Sequence, residues 1–325
     1  MEPDVVHIGE WLQARARRLG ANDAGYPAVL GELRPGAGPI WVVGELPARC
    51  VAVVGSRQAD LGGLEAARGL GRGLAAAGWA VVSGGAVGCD AAAHEGALDA
   101  GGATVLVLGS GLARPYPREN ADLMRRAAGA GAVLTPYAPE VDALPGHFHR
   151  RNRIIAALGA VTVVVRAGRR SGALDTAAHA LRLGRPVLVV PGSPGCASAE
   201  GSNRLLRAGC AVALEAADVL RAVADRGGVG ARGPTVGYVA RLRRGGAADR
   251  GSRAGAEKRA RDPGGDDPLL VLIGGGEPAG ADDLAAASGM AAGEVAARLG
   301  MLEAEGKVAR LSDGRFRVVA LGGRS

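Results

Sequence analysis

Val51-Ala-Val-Val-Gly-Ser-Arg57 is an apolar run that stops at a glycine, and an Ala- and Leu-rich stretch over 63–77 follows it. It reads as a strand buried on both faces, a tight turn at Gly55 and a helix. Outward from this unit the pattern repeats. Short aliphatic runs at 51–54, 80–82, 104–108, 132–134, 161–165 and 187–190 predict strands. Between them, 63–77, 90–100, 118–128, 151–158, 173–183 and 202–207 predict helices. Strand and helix taking turns implies right-handed βαβ units. The predicted fold class is therefore α/β, an extended Rossmann-like, doubly wound, mainly parallel sheet.

The chain has 325 residues, enough for one large and one small domain. Its residues are 48% hydrophobic but only 3% aromatic, so the core is expected to be aliphatic. Residues 226–265 are rich in Gly, Arg and Ala with little apolar periodicity and predict a flexible tether. Beyond it, an apolar stretch at 268–273 and a capped helix at 282–287 precede a helix over 290–305, where Val295, Leu299 and Leu302 fall at helical spacing. Two short runs, 307–311 and 315–319, then flank Ser312-Asp313-Gly314, a hairpin signal. Three helices and a hairpin predict a small C-terminal winged-helix domain. The expected organisation is an N-terminal extension over 1–47, a Rossmann-like domain over 48–225, a linker over 226–265 and a winged helix over 266–325.

Charge is unevenly placed. Ten basic residues between Arg226 and Arg261 face only Asp249, Glu257 and Asp262, an excess equal to the whole net charge of +7. The folded body is thus expected to be near neutral, with local basic clusters. The basic residues are almost all arginine, whose planar fork suits phosphate. Cys50, Cys89, Cys196 and Cys210 show no C-x-x-C pairing and no His at ligand spacing, so reduced, buried thiols are expected rather than disulfides or a metal. No signal peptide or membrane span is read, which predicts a soluble, cytoplasmic protein.

Five glycine- or arginine-bearing loops follow strand ends, the ligand-binding edge of an open α/β sheet. In the first, Gly55, Ser56 and Arg57 offer backbone N–H groups, a hydroxyl and a charged fork to a phosphate. The absence of G-x-G-x-x-G argues against a nicotinamide dinucleotide. In the second, Ser83, Gly84, Gly85 and Gly88 allow close backbone approach, while Asp90 is read as a helix cap and His94 as packed. The third, His147-Phe-His-Arg-Arg-Asn-Arg153, is the densest positive cluster of the body and is read at a helix start. Its Phe148, Arg151, Asn152 and Arg153 suit a single strand, with guanidinium on phosphate and ring on base. The fourth runs from Arg169 through Ser171 and Gly172 to Thr176, and the fifth is Pro191-Gly-Ser-Pro-Gly-Cys196. This reading expects Arg57 and Arg153 on one groove, and the two on opposite sides of the molecule with no groove between them would end it.

The ordered series then becomes specific. Ser83-Gly-Gly-Ala-Val-Gly-Cys-Asp90 with His94, Tyr116-Pro117 with Asn120, Arg151-Asn-Arg-Ile-Ile155 and Ser171-Gly-Ala-Leu with Thr176 occur in turn. Gly184-Arg185-Pro186 with Val190-Pro191-Gly192, and Gly201-Ser-Asn-Arg-Leu-Leu206, complete the series. It resembles the DprA/Smf family of DNA-processing proteins over roughly residues 26–220. The resemblance implies a non-catalytic fold without cofactor or metal that binds single-stranded DNA, forms homodimers and promotes loading of the RecA recombinase during natural transformation. It also implies phosphate binding at Gly55, Ser56 and Arg57, at the 83–85 turn, and at Arg151, Asn152 and Arg153. His149 stands where the family commonly has Pro, and Arg166 where it often has Glu. The short region before Tyr26 implies that a full helical N-terminal domain is missing.

Two other readings compete. Related Rossmann-like proteins hydrolyse the N-glycosidic bond of nucleoside monophosphates, but their P-G-G-x-G-T loop is replaced here by Pro191-Gly-Ser-Pro194, and only Asp90 and Asp175 offer a carboxylate. A duplex-reading winged helix is disfavoured because the 290–305 helix carries Arg298 alone against Glu294, Glu303 and Glu305. Its wing residues Lys307, Arg310, Arg315 and Arg317 would at most assist.

Overall fold

The computed structural model describes residues 4–225, 267–273, 278–288 and 290–319. Residues 226–265, where the sequence predicts a tether, lie outside them. Helix α1 (Asp4–Gln13) and strands β1 (Arg17–Leu19) and β2 (Ile40–Gly44) lead into β3 (Cys50–Val54). There follow α2 (Leu61–Ala76), β4 (Ala80–Ser83), α3 (Cys89–Asp99), β5 (Thr104–Val107), α4 (Ala121–Ala130) and β6 (Ala132–Thr135). The second half comprises α5 (Pro145–Leu158), β7 (Gly159–Val164), α6 (Gly172–Arg182), β8 (Val187–Val189), α7 (Glu200–Arg207), β9 (Ala211–Val212) and α8 (Ala216–Ala224).

The sheet has the order β1-β2-β6-β5-β4-β3-β7-β8-β9 and is parallel from β6 to β9. Each central strand serves two cores, which explains its unbroken apolar sequence. Cys50, Ala52 and Val54 enter one cluster with α5 and α6, while Val51 and Val53 enter the opposite one with α2 and α3. The predicted doubly wound α/β fold is what the chain forms. The segment expected to be an N-terminal extension is structured otherwise, because β2 pairs antiparallel with β6 and β1 with β2. Residues 17–44 therefore belong to the same sheet as 50–212, and position 47 marks no boundary in it.

From β3 the chain winds outward through β4, β5 and β6, then returns to place β7 against the other side of β3. The order reverses between β3 and β7, and in open α/β sheets such a switch point opens a crevice beyond the strand ends. The loops after these strands carry Gly55–Arg57 and Gly168–Gly172.

In the C-terminal region α9 (Pro268–Ile273), α10 (Ala281–Ser288) and α11 (Ala292–Ala304) precede an antiparallel hairpin of β10 (Val308–Arg310) and β11 (Phe316–Val318). Gly314 turns the hairpin at φ 83°, as the Asp-Gly signal predicts. Leu269, Leu284, Val295, Leu299, Leu302 and Phe316 form its own small core.

Candidate functional site

Beyond the strand ends lies a cleft of about 1160 Å³. Val54–Gln58 line it from the β3 turn, Asp90 from α3, Tyr116 from the segment after β5, Phe148 from α5, Ser171 from the β7 loop and Cys196 from the β8 loop. The exits of β3, β4, β5, β6, β7 and β8 therefore all contribute, at the edge where open α/β sheets bind ligands.

Arg57 is exposed, and its guanidinium carbon lies 5.3 Å from the centre of the Phe148 ring. Gly55 is needed for close approach, since a Cβ there would come within 2.5 Å of the Cys89 Cβ. The Gly55 N–H donates to Asp90 Oδ1 (3.2 Å) and the Gly84 N–H to Asp90 Oδ2 (3.1 Å). Asp90 is thus more than the predicted cap. It is the second residue of α3, and its carboxylate ties two strand-end turns together. Burial pushes this carboxyl up from its ordinary value, while the Arg151 charge and the two N–H groups pull it down. A Cβ on Gly84 would lie 2.7 Å from both Arg151 Nη2 and Asp90 Oδ2, so only glycine fits between the opposed charges. Ser83 is fully buried at the end of β4, and the Gly85 backbone is left-handed at φ 63°.

Arg151 is buried and donates through Nη1 to the carbonyls of Gly84 (2.7 Å) and Val107. Burial lowers its pKa to about 10, so it carries its charge at neutral pH. The 147–153 cluster lies inside α5 rather than at its start, because Pro145 opens the helix. Phe148, Arg151, Asn152 and Ile155 face the cleft at i, i+3, i+4 and i+7. Arg153 does not line it. Its guanidinium instead donates to the carbonyls of Pro35 (2.6 Å) and Gly36 (2.8 Å). The groove that Arg57 and Arg153 were expected to share is therefore formed without Arg153, whose position on the helix points it elsewhere.

Asn152 Nδ2 donates to the Gly172 carbonyl (3.3 Å) and to Asp175 (3.4 Å). His149 Nδ1 lies 3.3 Å from the same buried carboxylate. Ser171 caps α6 by accepting the Ala173 N–H at 3.2 Å. Arg166, at the position where Glu was noted as common, is buried with Nε 3.3 Å from both oxygens of Asp60, the residue that caps α2. His94 is buried, with Nδ1 2.6 Å from Thr104 Oγ1, and burial lowers its pKa to about 3. It is packed, as expected. Cys50, Cys89 and Cys210 are buried thiols pushed up to about 12, whereas Cys196 is half-buried in the cleft.

The residue that sequence reading left outside the candidate site is Tyr116. It is 42% exposed, lines the cleft and meets Phe148 edge-on at 5.8 Å. An aromatic in the segment that follows a buried strand, in a chain with so few, was the signal. Among the described residues no three His, Cys, Asp or Glu side chains are grouped to hold a metal ion. None of the described helices is long and apolar enough to cross a membrane.

A doubly wound sheet whose main cleft opens at the switch point, walled by arginine and aromatic side chains, defines a Rossmann-like protein. The chain belongs to the DNA recombination-mediator protein A family, whose model matches residues 17–224, and residues 256–314 match the DprA winged helix domain. A Mycobacterium tuberculosis (strain H37Rv) protein that carries the DprA name is 38% identical over 309 residues, which are 95% of this chain and 72% of the relative. The crystal structure of DNA processing protein A from Streptococcus pneumoniae superposes with a TM-score of 0.61 at 34% identity, covering 67% of this chain and 77% of that one. DNA processing protein A from Helicobacter pylori, described for its single-stranded DNA binding mode, gives 0.58 at 26% identity over 65% and 96%.

Proposed function

We infer that this chain is a non-catalytic recombination mediator that binds single-stranded DNA in the switch-point cleft. The observation that carries the reading is the exposed Arg57 guanidinium held over Phe148 at the mouth of that cleft. An exposed arginine beside a ring, on a backbone turn, is what a phosphodiester chain with unstacked bases needs. In this reading Gly55 and Ser56 shape the turn, while the buried Arg151 adds positive potential and keeps the Ser83–Gly85 turn in place. Asn152, Ser171 and Gly172 form the far wall. Arg153 leaves the contact set and acts on the 35–36 backbone instead. The single-stranded DNA binding mode described for the H. pylori relative supports the ligand, and delivery of the strand to RecA by a homodimer in the cytoplasm is proposed with it as what the resemblance implies. The separate linker and winged-helix units stay part of the proposal.

Replacing Arg57 with Ala is expected to weaken binding of labelled single strands of every sequence about 10- to 100-fold, the loss of one charge-assisted contact. The slope of log affinity against log salt should fall by about 0.7. Wild-type affinity in this variant would overturn the assignment.

The glycosidase reading is weaker at the atomic level. Asp90 is committed to two backbone N–H groups beside Arg151, and Asp175 to Asn152 and His149. Neither carboxylate is set up as a general base. Incubation with nucleoside monophosphates, followed for free base, separates the two functions. Duplex reading by the winged helix is also disfavoured. Arg298 Nε is bonded to Asp267 at 2.5 Å, and Glu294 and Glu303 are exposed on the same helix.

A further inference from the structure

Beside the main cleft lies a smaller depression of about 70 Å³, bounded by Arg57, Val87, Tyr116, Glu119 and Phe148. Large apolar side chains with substantial exposure are few among the described residues, yet Val87 (40%) and Tyr116 (42%) share this one hollow. Phe148 is the ring that sequence reading assigned to base stacking, but its surroundings are occupied. Arg57 and Arg151 lie 5.3 and 5.9 Å from its centre. Tyr116 presses on it edge-on, at 62° between planes. It also packs so closely on Gly109 that a Cβ there would fall 2.7 Å from the ring. Phe148 is therefore a floor that positions Arg57, and the accessible ring of the pair is Tyr116.

We propose that Tyr116 is the stacking platform for one nucleobase of the bound strand, with Val87 covering the base and Arg57 taking the adjoining phosphate. The proposal rests on the single-strand reading above and deepens it. The hollow is polarised in the sense this needs. Both the Arg57 cation and the exposed Glu119 carboxylate line it, so the phosphate backbone is drawn to Arg57 and repelled from Glu119. The base is left against Tyr116 and Val87, where an aromatic face accepts any base because every base has a π-face. A ring-lined hollow of mixed polarity directly against the Arg57 guanidinium fits a nucleotide unit, which has both a ring and a phosphate, better than it fits an isolated anion.

The test uses the full chain and two probes of equal length, an oligothymidylate and an abasic phosphodiester chain. Tyr116→Ala is expected to bind the oligothymidylate about tenfold more weakly, as loss of one stacked base predicts, with the abasic chain unchanged. Tyr116→Phe is expected to restore wild-type affinity, since the ring rather than the hydroxyl does the work. In wild type, a strand carrying 2-aminopurine should lose fluorescence on binding as its base stacks, a readout independent of any variant's folding. Equal binding of the oligothymidylate by wild type and a folded Tyr116→Ala overturns the proposal, and so does an equal loss for both probes or unchanged 2-aminopurine emission. Arg57→Ala tells the two readings apart. If it binds both probes like wild type, the single-strand site itself is wrong; if it weakens both while Tyr116→Ala weakens neither, only the base platform is wrong.

Discussion

The Asp90 carboxylate joins Gly55 and Gly84, the first residues beyond two neighbouring strands, and Gly84 keeps it apart from the Arg151 guanidinium. A few such buried polar groups, rather than the loops' composition, set the shape of the cleft. His94, one turn along α3 from Asp90, has a measurable consequence of its own. In the folded chain burial and the Arg151 charge lower its pKa from 6.5 to about 3. Below pH 6.5 the unfolded chain therefore takes up a proton that the folded chain refuses. The stability is full above pH 6.5 and falls by about 1.4 kcal/mol per unit as pH drops toward 3. Urea unfolding of wild type and His94→Gln at pH 7, 6 and 5 checks this. The variant is expected to lose that part of the slope, and identical slopes would assign it to other groups.

Helix α5 carries the cleft's floor on one face and its anchorage on the others. Its start was misplaced in sequence because His147–Arg153 looks like a polar loop, whereas Pro145 at the first position already begins the helix. Once that start is known, a 3.6-residue repeat from Phe148 selects Arg151, Asn152 and Ile155 and turns Arg153 away. At the other end Arg185 donates through Nη1 to the carbonyls of Ala156, Ala157 and Gly159, and through Nη2 to Glu32 at 3.0 Å. These carbonyls belong to the helix end, which otherwise lacks partners. Arg185→Met is expected to cost about 3 kcal/mol, the scale of losing charge-assisted bonds to buried acceptors. The midpoint of chemical denaturation reports it. A shift below about 0.5 kcal/mol, the usual surface effect, would mean that the helix end is held by other contacts.

Over the whole molecule, charge and shape are separated. The basic excess falls in 226–262, whereas the folded sheet domain brings Arg57 and the buried Arg151 to one cleft. Two binding components with different salt behaviour are therefore expected. Deleting residues 226–265 and joining the ends with a short Gly-Ser linker should weaken single-strand binding mainly at low salt, where counterion release dominates. The Arg57-dependent part should persist. Titrations at two salt concentrations decide it: if the deletion abolishes binding and Arg57→Ala spares it, the tether rather than the cleft holds the strand.

Much of the fold was legible because the signals are local. Unbroken aliphatic runs mark strands buried on both faces, glycine-bounded Ala/Leu stretches mark the crossover helices, and Asp313-Gly314 marks the hairpin. That Gly55, Ser56, Arg57 and Phe148 line the cleft was legible for the same reason, since each sits at a strand end or in a dense motif. The tertiary structure alone decided the strand order and the antiparallel addition of β1 and β2. It also decided the pairing of Arg166 with Asp60, 106 residues earlier in the chain, and the exposure of Tyr116 while Phe148 is hemmed in. Periodicity tells each residue which face of its own element it occupies, but the partner it meets there depends on which distant element the sheet lays alongside.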